Sequence, residues 1–162
     1  MPRKKDSPLT EPTLTQNPPW LALDPTSGHV APPTKTKRDR LPFLVIQWMD
    51  FEKLAWRLAG RGAHVEQAWH YGTSGQSQYG IDLLVRLADG KYEVWQTKRY
   101  RKISAADVRI AAQIFMRHKW SEKASRFVLA VACDTSSKRV VEALEEFRSQ
   151  LTAKNIKFET LV

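Results

Sequence analysis

Four polar residues hold most of the chemical promise of this sequence: Glu52, Asp82, Gln96 and Lys98. Asp82 lies near the start of a strand-like run, Ile81 to Leu87, and Gln96 and Lys98 lie near the end of the next, Lys91 to Lys98. Side chains alternate along a strand, so Gln96 and Lys98 share a face with Tyr92 and Val94. The dipeptide Asp89-Gly90 between the runs favours a tight hairpin turn, which sets the beginning of the first strand against the end of the second. A carboxylate, an amide oxygen and an amine then converge. Hydrolysis of a phosphodiester needs a hard cation, a water made nucleophilic near neutral pH and charge compensation on the phosphate. Asp82 is the expected anionic ligand for Mg²⁺, Gln96 a neutral oxygen ligand, and Lys98 the group that orients or deprotonates the water. Glu52 is the candidate second carboxylate, at the edge of a helical apolar stripe among Trp48, Ala55, Trp56 and Ala59. Each residue also has a plainer use: a turn aspartate, a solvated helix glutamate, a structural glutamine and an edge-strand lysine that discourages aggregation.

The elements that must carry these residues follow from periodicity. From about Gln47, Trp48, Phe51, Leu54, Ala55, Leu58 and Ala59 keep helical spacing, and Gly60 and Gly62 stop it. A short strand over Ala63 to Tyr71 leads into the polar loop GTSGQSQYG and then into the two runs above, giving three antiparallel strands. Ser104 with Asp107 reads as a capping box before a second helix that carries Val108, Ala111, Ala112 and Phe115 and runs to about Lys119. Phe127 to Cys133 is a continuous apolar run that suits a strand buried on both faces. Val140, Leu144, Phe147 and Leu151 define a third helix, and Ile156 to Val162 a closing strand. The order predicts an α/β fold with a mixed sheet and helices on both sides, each strand after a crossover helix running parallel to the one before it.

Composition narrows the partners. The 162 residues carry a formal net charge of +9, which favours polyanions such as nucleic acid. All nine prolines lie within residues 1–42, which are read as a disordered or loosely docked basic leader before a folded domain over 43–162. The run Lys98-Arg99-Tyr100-Arg101-Lys102 reads as a phosphate-contacting stripe with Tyr100 available for stacking. Arg109 and Arg117 on the next helix extend it, and Gln78 and Tyr79 flank it from the polar loop. His64, His70 and His118 have no ligand spacing, which argues against a histidine zinc site. A single cysteine, Cys133, points to a reducing cytoplasm. The basic start runs into Asp6 and Pro8 where an export signal would be apolar, and no run approaches the roughly 20 apolar residues of a membrane span.

The segments FEKLAWRLAG, YGID and VWQTKRY together resemble the Mrr-type branch of the restriction-endonuclease-like, PD-(D/E)XK nuclease superfamily, over about residues 47–133. In that branch an aspartate is followed by Gln-x-Lys, which matches Asp82, Gln96 and Lys98, while Glu52 matches the helix glutamate. The resemblance implies a restriction-endonuclease-like core of order α-β-β-β-α-β with an added helix and strand. It implies an Mg²⁺-dependent endodeoxyribonuclease, with Mn²⁺ as a substitute metal, that cleaves double-stranded DNA as an effector of bacterial defence. It also implies a homo-oligomer, or an N-terminal nuclease domain of a larger defence protein. Two departures are visible: Gly80 and Ile81 stand where a proline is usual, and Gln96 removes a negative charge, so the site should hold Mg²⁺ more loosely. The alternative readings are a non-catalytic DNA-binding or assembly module that keeps the fold, and a resolvase of branched DNA such as a Holliday junction.

Overall fold

A computed structural model describes residues 17–24, 46–72 and 79–162. A short helix α1 (Pro19–Ala22) precedes α2 (Trp48–Ala59), and a meander follows of β1 (Val65–His70), β2 (Leu83–Leu87) and β3 (Tyr92–Lys98). Next come α3 (Ala105–Arg117), a single turn α4 (Trp120–Lys123), β4 (Ala124–Val131), α5 (Lys138–Thr152) and β5 (Lys157–Leu161). The five strands form one sheet in the order β1-β2-β3-β4-β5. The first three pair antiparallel, while β3 with β4 and β4 with β5 pair parallel across α3 and α5. The expected mixed α/β sheet is therefore present.

Local chemistry accounts for the joints. Between β2 and β3 the Leu87 amide donates to the Lys91 carbonyl (2.9 Å), so three residues make the turn, and Gly90 takes the left-handed φ of +81° that closes it. At the start of α3 the Ser104 hydroxyl accepts from the Asp107 amide (3.2 Å), and Asp107 Oδ2 accepts from the Ser104 amide (2.8 Å). Ser104→Ala removes the hydroxyl half of this capping box and should cost about 1 kcal/mol, read as a fall in urea midpoint with unchanged slope.

The main core fills the space between the sheet and α3 and α5. Phe127 of β4, fully buried, meets Phe115 of α3 (4.5 Å between ring centroids) and Phe147 of α5 (5.2 Å). The opposite face is covered by α2, whose Ala55 and Ala59 cluster with Ala68, Leu83, Val85, Trp95 and Val128, and whose Phe51 meets Ala130 and Ala132.

On α2 the expected stripe needs correction. Trp48 is 56% and Leu58 46% exposed, whereas Asp50 and Lys53 are buried, with Lys53 Nζ 3.2 Å from Asp50 Oδ1. The cause is the leader, part of which docks against this flank. Lys53 Nζ donates to the Asp24 carbonyl (3.3 Å) and Arg57 to the Leu23 carbonyl (3.4 Å). Leu21 is fully buried. Asn17 Nδ2 donates to the Ala68 carbonyl and its Oδ1 accepts from the His70 amide, both at 3.1 Å, so one leader residue satisfies two groups of edge strand β1.

Candidate active site

Asp82 stands one residue before β2 and is held from both sides. Its amide donates to the Trp95 carbonyl (3.0 Å) and its carbonyl accepts from the Tyr71 amide (2.8 Å). Its carboxylate turns toward β3, where Oδ2 accepts from the Thr97 amide (2.6 Å) and the Thr97 hydroxyl (3.0 Å). Thr97 lies between Gln96 and Lys98, so the carboxylate reaches the strand end that bears both. Burial raises the Asp82 pKa, and the charge of Glu52 adds to the rise; the Thr97 hydrogen bonds and the Lys98 ammonium oppose it.

Gln96 is 1% exposed, and its Oε1 is buried without a hydrogen-bond partner. An orphaned buried acceptor costs about 1–3 kcal/mol and calls for an explanation. The amide is pressed by Gly80, where an added Cβ would stand 2.4 Å from Gln96 Nε2 and where φ is +70°. Gly80→Ala should therefore displace the Gln96 amide and lower stability by about 1–3 kcal/mol in urea unfolding; a variant as stable as the parent would contradict this packing.

Lys98 is partly buried, with Nζ 5.7 Å from the centroid of the Tyr100 ring and near enough to Asp82 for its charge to act there. Glu52 reaches from α2 to the end of β1, where its Oε2 lies 3.4 Å from His70 Nε2 in poor alignment for a hydrogen bond; that oxygen is buried without one. The Glu52 carboxylate raises the His70 pKa against the opposing effect of burial, and the charge of Asp82 raises it further. Glu52 and His70 thus meet where β1 ends, and the Asp82 carboxylate meets Thr97, whose side chain alternates with those of Gln96 and Lys98, where β2 begins and β3 ends.

Two residues here carry little sequence signal. Thr97 stands between Gln96 and Lys98, where its place in the strand puts a backbone donor beside them. His70 lacks ligand spacing, and its signal is its position at the end of β1 beside the polar loop.

The basic stripe is only partly free. Tyr100, Arg101 and Lys102 are exposed, and Arg117 is exposed in the last turn of α3. Arg99 is exposed, but its Nε donates to the Ile46 carbonyl. Arg109 is exposed and donates to both Glu146 carboxylate oxygens of α5 (2.8 and 3.0 Å). Gln78 lies outside the described residues.

Among the described residues no three His, Cys, Asp or Glu side chains are grouped for a metal ion. The donors at hand are a mixed set: the Asp82 carboxylate, the Gln96 amide oxygen and the Glu52 carboxylate. Two of them present buried oxygens without a hydrogen bond, and the third is a carboxylate whose ionised form is disfavoured by burial. Oxygen donors of this kind fit a hard divalent cation. Among the described residues no helix is long and apolar enough to cross a membrane. The chain matches no known family profile, no curated protein and no solved structure.

Proposed function

We propose that this chain is a metal-dependent endodeoxyribonuclease domain with a restriction-endonuclease-like core, similar to the Mrr-type branch, and that it hydrolyses phosphodiester bonds of double-stranded DNA as an effector of cytoplasmic defence in bacteria. The observation that carries the reading is the buried, unpartnered Gln96 Oε1 on the strand end that the Asp82 carboxylate also reaches, with Lys98 two residues further on. The agreement of the element order with the α-β-β-β-α-β expectation adds support.

Asp82, Gln96 and Glu52 would hold Mg²⁺, or Mn²⁺ in its place. The bound ion would supply a water acidified toward neutral pH and charge compensation on the phosphate. Asp82 contributes its negative charge, and Thr97 fixes its orientation through two hydrogen bonds. Lys98 brings a donor that orients the attacking water or, once neutral, takes its proton. Tyr100, Arg101, Lys102 and Arg117 offer the exposed contacts to the sugar-phosphate backbone. Cutting both strands takes two such sites, hence the expectation of a homo-oligomer or a larger assembly.

The test is nicking of supercoiled plasmid with Mg²⁺ or Mn²⁺. Conversion should require the ion and stop in EDTA. Absence of nicking at every protein concentration tried would defeat the proposal. DNA affinity should also fall steeply with salt, and replacing both Arg101 and Lys102 by Ala should reduce the log–log salt slope by about 2, near 0.9 for each lost phosphate contact. An unchanged slope would remove these two residues from the interface.

A further inference from the structure

His70 is contacted both by the leader and by a carboxylate of the candidate site. The His70 amide is bonded by Asn17 Oδ1 at 3.1 Å. The His70 ring meets the Trp20 ring edge-on at 5.3 Å and 79°. Nε2 lies 3.4 Å from Glu52 Oε2, which has no hydrogen bond. A leader segment 28 or more residues before α2 in sequence thus packs on a histidine that packs on a carboxylate of the candidate site.

We propose that His70 is a positioning residue for Glu52, and that the leader segment Asn17–Leu21 forms the outer wall that holds His70 in place. The inference rests on the nuclease reading and deepens it: the imidazole beside Oε2 steadies the Glu52 carboxylate for a divalent cation. Partners that orient a ligand from behind typically govern metal affinity by about 10–100-fold, because an unheld carboxylate must be ordered when the ion binds.

Calorimetric Mn²⁺ titration of the whole chain tests this without reference to turnover, with melting curves confirming that each variant is folded. His70→Ala should weaken Mn²⁺ binding by about 10–100-fold, and His70→Gln, which keeps a donor, should recover most of the loss. In a Glu52→Gln background the His70→Ala change should have no further effect, since a residue acting through Glu52 has nothing left to orient. Trp20→Ala should give a smaller loss in the same direction. Wild-type affinity in folded His70→Ala, or an equal loss with and without Glu52, would overturn the proposal; wild-type affinity in Trp20→Ala would overturn the leader's part in it. A wild-type chain that binds no Mn²⁺ would defeat the nuclease reading and this inference together, whereas Mn²⁺ binding indifferent to His70 would defeat the inference alone.

Discussion

Asp82→Asn is expected to reduce plasmid nicking by about a thousandfold or more while raising the melting temperature at neutral pH. The activity loss follows from the proposed role of Asp82 as the anionic ligand on the hairpin: metal-borne charge stabilisation amounts to several kcal/mol, and each 1.4 kcal/mol is a factor of ten. The stability gain follows from the direction of the pKa shift. Burial raises the Asp82 pKa above its ordinary value of 3.8, so the fold favours the protonated acid. That contribution is present below the ordinary value and is lost as pH rises through the folded-state value, leaving an ionised, poorly compensated carboxylate at neutral pH. Asparagine keeps an oxygen for the Thr97 amide and carries no charge at any pH. The gap in melting temperature between variant and parent should therefore widen from acid to neutral pH. Added Mg²⁺ should narrow it, because an ion that binds only the native parent raises the parent's stability. A variant that nicks normally would remove Asp82 from the chemistry. One that loses activity and melts lower at neutral pH would show that the carboxylate serves the fold. Lys98→Ala should lose about 10²–10⁴-fold in nicking with little change in metal affinity, the pattern expected if the amine acts on the water.

The largest stability effect is expected at Phe127→Ala, about 3–5 kcal/mol in urea unfolding, a large share of the roughly 5–15 kcal/mol that holds such a domain together. Phe127 lies opposite Val94 of β3 and Phe158 of β5 in the strand register, and its ring touches one side chain from each helix of the main core. Alanine there leaves a cavity that β4, bonded on both edges, cannot collapse to fill. Near-ultraviolet circular dichroism should report the loosened aromatic packing. A cost below about 1.5 kcal/mol would mean that α3 and α5 do not depend on this ring. By contrast Trp48, though larger, is more than half exposed, and Trp48→Ala should change stability by about 0.5 kcal/mol or less.

That contrast marks where local pattern stops being informative. The sequence places Trp48 and Leu58 on the apolar stripe of α2, because 3.6-residue spacing is all a sequence can measure. Which flank is covered depends on what else reaches the helix, and here Leu23 and Asp24 of the leader meet Arg57 and Lys53. The same limit applies to Arg109, whose ion pair with Glu146 of α5 no local pattern could show.

By itself the sequence determined the five strands and the three longer helices, the capped start of α3, a tight turn at Asp89-Gly90 and the nearness of Asp82 to the Gln96–Lys98 strand end. These depend on helical and strand periods, on one hydrogen-bonded cap and on a hairpin that closes within a few residues. The tertiary structure alone decided which flank of α2 is covered, that His70 meets Glu52, and that Asn17 satisfies the edge of β1. Those contacts join segments that no local period relates, and they form only when burial of the sheet's two faces brings distant polar groups to the same strand ends.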